Sequence, residues 1–341
     1  MDYINNSYVI NMDKSKDRLK RMQEQQNKLS SKPFIRIKGV VGKELTEKEK
    51  RKYSSYWYYR FGSENTIGCF LSHKKAWQTM IDNNDSYALI MEDDCEIIDT
   101  FKDDLKKVVE ELNDVNPEWE FLYAGCFGAA KPTRQYTLLQ YGIKMVVPTI
   151  QKSKLQPNVF SYIPEAPLGF HCYIISQNCA KKLLKIMKRV STHMDAMFLK
   201  YANMFNVYAS KKQLAYQFAT SHNSTISDVK FPHILNSKLD NITDEYNIAY
   251  SFYFNYPLAH ISKFPINYYL ILLITIMFII PSKYVYHFAF VIAVYLCMEL
   301  TIVPNNYDYI LFWILSLSFV IYVKKNVIKF DYFMKSNNTL E

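Results

Sequence analysis

Three acidic residues in a row, Glu92-Asp93-Asp94, follow directly on the apolar run Tyr87 to Met91 (YALIM). Adjacent carboxylates repel one another unless a cation or solvent offsets their charge. Carboxylate oxygens suit Mg2+ or Mn2+, and such an ion can bridge a diphosphate. A solvated turn or a helix cap is the competing reading of the same triplet. Its position favours a ligand site: a continuous apolar run bounded by acids suits a central parallel strand, and open α/β sheets bind ligands at the carboxyl ends of their strands.

The elements that must position such a site alternate along the chain. Ser7 to Met12 reads as a short buried strand and Phe34 to Val40 as a second. Between them, Lys14 to Leu29 places Leu19, Met22 and Leu29 on one helical face. Glu44 to Tyr53 predicts a helix, the aromatic stretch Tyr53 to Phe61 a loop or lid, and Ile67 to Ile81 a helix with Phe70, Leu71 and Trp77 available to the core. Phe101 to Leu112 and Cys179 to Val190 are helical in spacing; Glu120 to Ala124 and His171 to Ser176 are strands; Lys131 to Pro167 is irregular. This alternation predicts an α/β sheet with helices on both faces.

From Phe264 the character changes. Phe264 to Ser282, Tyr284 to Val303 and Tyr309 to Val323 are strongly apolar, with Glu299 inside the second run. Each is at or slightly below the roughly 20 residues that cross a bilayer as helix. The expectation is a domain over residues 1–262 and a membrane-anchoring tail over 263–341 with two or three transmembrane helices, against the alternative of buried core helices. An even number of spans would put Lys263 and the lysines after Val323 on the cytosolic side.

The formal net charge is +9. No Arg/Lys cluster of the kind that tracks a phosphate backbone accompanies it, so no nucleic-acid partner is expected. None of the six cysteines forms a CxxC pair, which gives no sign of a zinc ribbon. The start MDYINNSYVINMD lacks a charged region followed by an apolar core, so no signal peptide is expected, and the domain is read as reduced and cytosol-facing.

The segments YVINMDKSKDR, IGCFLSHKKAW, ALIMEDD, FLYAG, GFHCYIISQNCAKKLL and HMD occur in this order over about residues 7 to 230. The chain in this way resembles glycosyltransferase family 25, and GC-x-x-SH followed by IMEDD is the specific combination. The resemblance implies a GT-A type, Rossmann-like fold, a nucleotide-sugar donor, here a UDP-hexose carrying galactose or glucose, and a divalent metal, Mn2+ or Mg2+. It places Asn11, Asp13, Arg18, Ser72, His73 and Asp93 at the nucleotide, Asp94 with Asp93 at the metal, and Asp195 as the acid that deprotonates the acceptor hydroxyl. His222 is a further candidate ligand, with a solvated loop histidine as its alternative. Taken singly, Arg18 also reads as a surface helix charge, His73 as a packed residue, and Asp195 as a helix N-terminal acid. The family pattern of Gln, a short gap and Ser-Asp-Ile is not kept, since Gln217 is followed by Ser224-Thr225-Ile226.

The expected function is therefore inverting, metal-dependent hexose transfer to a glycan, lipid-linked or protein acceptor, on a multi-pass membrane protein. Two alternatives are a catalytically inactive, membrane-tethered binding protein, which the Thr225 departure favours, and a metal-dependent hydrolase, for which no further His/Asp set at metal spacing is present.

Overall fold

A computed structural model describes residues 3–29, 32–127, 159–164, 167–217, 233–239, 254, 259–261, 264–302, 311 and 313–326. Most of the stretch 131–167, His222, Thr225 and Lys263 lie outside these residues. The chain separates into two compact units, Met1–Ile226 with Asp244–Ile248, and Ser227–Thr243 with Ala249–Glu341.

The first unit is built on a seven-stranded sheet of order β2-β1-β3-β7-β5-β8-β6. Its strands are β1 (Asn6–Asn11), β2 (Ile35–Lys38), β3 (Tyr87–Glu92), β5 (Phe121–Phe127), β6 (Ser161–Tyr162), β7 (Leu168–Ser176) and β8 (Val207–Ser210); β4 (Cys95–Ile97) and β9 (Ala215–Gln217) form a separate antiparallel pair. The sheet is mixed and mostly parallel, as in Rossmann-like folds. β3 runs parallel to β1 but antiparallel to β7, which also runs antiparallel to β5. YALIM is central, as its composition predicts, yet it is parallel on one side only, because an apolar run records burial and not the direction of a neighbour.

Period-two alternation gives the sheet two apolar faces. Val9, Leu89, Met91, Leu122 and Ile174 share one buried cluster with Met22 of α1 (Lys16–Glu24), Leu29 of α2 (Gln26–Leu29) and Phe101, Leu105, Val108 and Leu112 of α6 (Phe101–Val115). On the other face the rings of Phe121, Phe170 and Tyr173 pack together and against Phe198 of α8 (Met194–Leu199). There, too, Trp77 of α5 (Glu64–Asp82) bonds to Tyr173. Helix α7 (Gln177–Ile186) starts at Ser176, whose hydroxyl accepts the Cys179 N–H.

Helix α3 (Glu47–Tyr53) opens with a capping box between Thr46 and Glu49. The aromatic stretch that follows is not a loop. Residues Tyr56–Phe61 form a helix, α4, because Ser55 caps it by accepting the Tyr58 N–H. The motif IGCFLSH is explained largely by packing. A Cβ on Gly68 would lie 2.4 Å from the Val40 carbonyl oxygen. One turn on, the Ser72 hydroxyl accepts the Val40 N–H at 2.8 Å and donates to Gly68 O at 2.7 Å. The helix therefore docks on the backbone after β2 only with a glycine at 68.

The second unit holds α9 (His233–Leu239), the hairpin β10–β11 (Ala259–Ile261, Phe264–Ile266), α10 (Tyr268–Ile279) and α11 (Val285–Ile302), and residues 313–326 are also helical. Leu270, Met277, Ile292, Leu296, Trp313 and Val320 form its core. Among the described residues one helix, Ser282–Thr301, is long and apolar enough to cross a membrane. The expectation of two or three crossing helices is corrected by the first run. Pro281 and a 3-10 turn at Ser282–Tyr284 break it off after Ile279, leaving a helix of 12 residues, about 18 Å at 1.5 Å per residue. Glu299, the charge inside the second run, is buried and accepts from the Ile234 N–H at 2.8 Å and the Tyr295 hydroxyl at 2.6 Å.

Replacing Gly68 by alanine is expected to destabilise the first unit by about 1–3 kcal/mol through overpacking. Chemical denaturation of the variant measures this; an unchanged midpoint would show that the α5 contact yields without strain.

Candidate active site

The triplet is divided between the two faces of the sheet by the strand period. Glu92, the last residue of β3, meets α5: its carboxylate lies 3.0 Å from His73 Nε2. The His73 ring is buried, its Nδ1 is 2.9 Å from the Tyr173 hydroxyl, and that oxygen accepts the Trp77 indole N–H at 3.0 Å. If the Tyr173 hydroxyl donates to Nδ1, every polar atom in this relay is satisfied and Nε2–H donates to Glu92. Burial works to raise the Glu92 pKa, but the His73 hydrogen bond, with the Arg18 charge adding to it, holds the carboxyl below its usual value.

Asp93 turns toward α1. Its oxygens accept from Asn11 Nδ2 at 2.7 Å and from Arg18 at 3.1 Å, and the same guanidinium lies 3.8 Å from Asp94. Asn11, at the carboxyl end of β1, also donates to Ser15 O at 3.0 Å and accepts from Arg36 Nε at 2.8 Å. It thereby ties the ends of β1, β2 and β3 to the start of α1. Arg36 continues to Asp13 at 2.7 Å, where Lys38 is a second partner at 2.6 Å; these two cations hold the exposed Asp13 down to about 2. Asp93 is raised by burial, against Arg18 and Asn11.

Asp94 sits in the turn between β3 and β4. Pairing of β4 with β9 sets Cys95 opposite Gln217, whose side-chain amide donates to Asp94 Oδ2 at 3.1 Å. The other oxygen, Oδ1, is buried with no hydrogen-bond partner among the described residues. Burial, then the charge of Glu92, pushes this carboxyl up to about 7, against Gln217 and Arg18. An orphaned, charge-strained carboxylate oxygen beside a second aspartate fits a hard divalent cation. Cys69, His73 and Glu92 also bring donor atoms within 4.8 Å of one another. His73 and Glu92 are already bonded there and burial keeps the Cys69 thiol well above its usual pKa, so this trio does not suit Mg2+ or Mn2+. A cavity of about 320 Å³ borders the aspartates, with Arg21, Gln25 and Lys28 on one side and Asp93, Asp94 and Glu96 on the other.

Asp195 lies at the start of α8. Its Oδ2 accepts the Gly169 N–H at 3.1 Å and its Oδ1 the Ala196 N–H at 2.8 Å. Gly169 has φ 93°, a conformation glycine adopts without strain. Burial raises the Asp195 pKa, the Glu92 charge adds to this, and the backbone N–H groups oppose it. Of the residues singled out in the sequence, Asn11, Arg18, Asp93 and Asp94 are joined in one network, Asp13 is attached to it through Arg36, and His73 joins Glu92. Ser72 is buried and committed to backbone, and His222 is outside the described residues. Arg36 and Tyr173 escape sequence reasoning, which reads Trp77 only as a core residue and Gln217 only as part of the pattern before Thr225, without their contacts at the site. For Arg36 a signal existed, since the alternation of Phe34 to Val40 puts it on one face with Lys38; for the others, partners 96 to 123 residues apart leave none.

Comparison with known proteins covers much of this unit. Residues 4–198 match the family described as Glycosyltransferase family 25 (LPS biosynthesis protein). Procollagen galactosyltransferase 2 of Mus musculus is 29% identical over 126 residues, 35% of this chain and 20% of that protein. A probable inactive glycosyltransferase 25 family member 3 of Bos taurus is 29% identical over 63 residues, 18% of this chain and 11% of that protein. The chain spans about a fifth of the length of the first of these relatives. A crystal structure of A197 from STIV aligns with TM-score 0.32 and 12% identity over 63% of this chain and 86% of that one; a likeness at that score carries no argument. With the family match running from before β1 into α8 and taking in Asn11, Arg18, His73, the acidic triplet and Asp195, the chain belongs to glycosyltransferase family 25.

Proposed function

We propose that the chain is an inverting, metal-dependent hexosyltransferase of GT-A type. It would move galactose or glucose from a UDP-sugar to an acceptor hydroxyl, with the chemistry in residues 1–262 and membrane attachment in 263–341. The observation that carries this reading is Asp94, a half-buried carboxylate whose Oδ1 is buried and unpartnered among the described residues, at the carboxyl end of a central strand beside an Arg18-bound Asp93. Asp94 and Asp93 would hold Mn2+ or Mg2+. Such an ion, when bound, offsets the charge that builds on the departing nucleoside diphosphate.

The remaining work falls to side chains. Arg18 and Asn11 keep Asp93 in one orientation, so the aspartate pair is preorganised rather than mutually repelled. Asp195 takes the proton of the acceptor hydroxyl. Its raised pKa makes it a better base than an exposed aspartate, and each of its oxygens has a second lone pair beyond the bond it accepts from the backbone. The negative charge of Glu92, held by His73, favours the proton's arrival at Asp195. The acceptor is a glycan, a lipid-linked sugar or a protein. The family description points to a lipopolysaccharide, and the procollagen relatives point to a protein.

A second reading, an inactive binding protein, is favoured by Thr225 at an acid position and by the likeness to a probable inactive member. UDP-sugar hydrolysis with and without Mn2+ separates the two, since a binding protein turns nothing over. For attachment, α11 is proposed as a membrane anchor. Mean hydropathy over Ser282–Thr301 is 1.5, and Phe290, Val291 and Met298 on it are exposed.

Asp94→Asn is expected to abolish transfer while the fold persists; unchanged turnover at saturating Mn2+ would overturn the metal assignment. Asp195→Asn is expected to lower kcat by about 10²–10⁴-fold with donor affinity near wild type. Loss of donor affinity with little change in rate would make Asp195 a binding or structural residue. The full chain is expected to stay with membranes through an alkaline carbonate wash, and its release would reassign α11 to a soluble helical unit.

A further inference from the structure

Helix α4 carries aromatic side chains at five of its six positions, Tyr56, Trp57, Tyr58, Tyr59 and Phe61. Tyr58 turns inward. A Cβ on Gly62 would lie 2.4 Å from its ring, so the glycine makes its room. Burial raises the Tyr58 hydroxyl to about 12, and the charges of Cys69 and Asp195 add to the rise. The chain before α4 is stitched to the segment that leads into Asp195: Ser55 N–H donates to Val190 O at 2.8 Å, and Val190 N–H to Tyr53 O at 2.7 Å. The entry to α4 is thus fixed to the segment that leads into Asp195, the proposed base for the acceptor hydroxyl.

Its outer surface is open. Tyr56 is 65% exposed, Trp57 69% and Phe61 43%, whereas the other three tryptophans, Trp77, Trp119 and Trp313, are at most 4% exposed. The three exposed rings are contiguous. Tyr56 meets Trp57 edge-on at 5.3 Å, and Trp57 lies nearly parallel to Phe61 at 6.0 Å and 14°. The Arg60 guanidinium sits 5.9 Å from the Tyr56 ring centre and brings hydrogen-bond donors to the edge of the patch. An aromatic side chain offers about 150–250 Å², so at these exposures the patch totals roughly 300–400 Å². A stable protein interface needs about 800 Å² per partner. The patch is the size of one or two pyranose rings, whose C–H faces are apolar and whose rims carry hydroxyls.

We propose that Trp57, flanked by Tyr56 and Phe61, is a stacking platform for a sugar ring of the acceptor, which presents a hydroxyl of that sugar or its neighbour to Asp195. The proposal rests on the reading of Asp195 as the acceptor's base and narrows the acceptor to a saccharide-bearing one.

The single exposed tryptophan supplies its own probe. Acrylamide quenching of the full chain is measured with free disaccharides as probes (lactose, N-acetyllactosamine and maltose), and the best of them serves as acceptor in a transfer assay. At least one disaccharide is expected to protect the tryptophan fluorescence of the wild type, and Trp57→Phe is expected to remove both the quenching and the protection. Trp57→Ala is expected to raise KM for that disaccharide about tenfold, with KM for the UDP-sugar little changed, and Trp57→Phe to restore part of the loss. Quenching that no disaccharide reduces overturns the platform. So does protection by phosphatidylglycerol vesicles alone, which assigns the patch to a lipid surface. An increase in KM for the donor in Trp57→Ala also overturns it, because the residue then serves the nucleotide. Saccharide protection in a chain that turns over no UDP-sugar upholds the platform and sinks the catalytic reading, so the two fail separately.

Discussion

Three neighbouring carboxylates can be held in one place only if each is given its own partner, and the rest of the first unit is arranged around that requirement. The strand period sends Glu92 to one face and Asp93 to the other, and the turn takes Asp94 away from both. Glu92 is met by His73, Asp93 by Arg18 and Asn11, and Asp94 by Gln217. Arg18 spans the two aspartates. The result is unequal: Glu92 is held below its usual pKa while Asp94 is driven to about 7. Pairs of acids whose surroundings push their pKa values apart are a mark of sites that divide roles between them.

The scaffold follows from these partners. His73 must reach Glu92 from a helix, so α5 is seated on the backbone after β2 through Gly68 and Ser72. The His73 ring must be aimed, and Tyr173 and Trp77 do this from β7 and from the next turn of α5. The reversed direction of β7 also brings its start, Gly169, to the end of the sheet where β3 finishes, and Gly169 there donates to Asp195. β7, one of two reversed strands in the sheet, thereby delivers both the histidine's support and the orientation of the candidate base.

The triplet, its strand and the helices flanking it were legible in the amino-acid order because burial leaves a period. Direction and pairing leave none. YALIM and HCYIIS both read as strands, but nothing in an apolar run says that they lie antiparallel. β4 and β9 are three residues each, too short for a pattern, so the contact of Gln217 with Asp94 was invisible. The stretch Tyr53 to Phe61 read as a loop or lid because its aromatics obscure any apolar face, whereas the Ser55 cap decides for helix. In the tail, composition announced three apolar runs; their lengths as helices depend on where Pro281 and the following turn interrupt them. Glu299, the charge inside the second apolar run, is the acceptor that joins α11 to α9.

The central claim is that Asp94 and Asp93 form a cation-dependent nucleotide site. The most direct test is the affinity of the chain for UDP, measured by calorimetry in Mn2+ and in EDTA, for the wild type and for Asp94→Asn. UDP is expected to bind at least about tenfold more tightly in Mn2+, and the substitution is expected to erase the difference. Equal affinity in both buffers, or a Mn2+ effect that survives Asp94→Asn, would contradict the account.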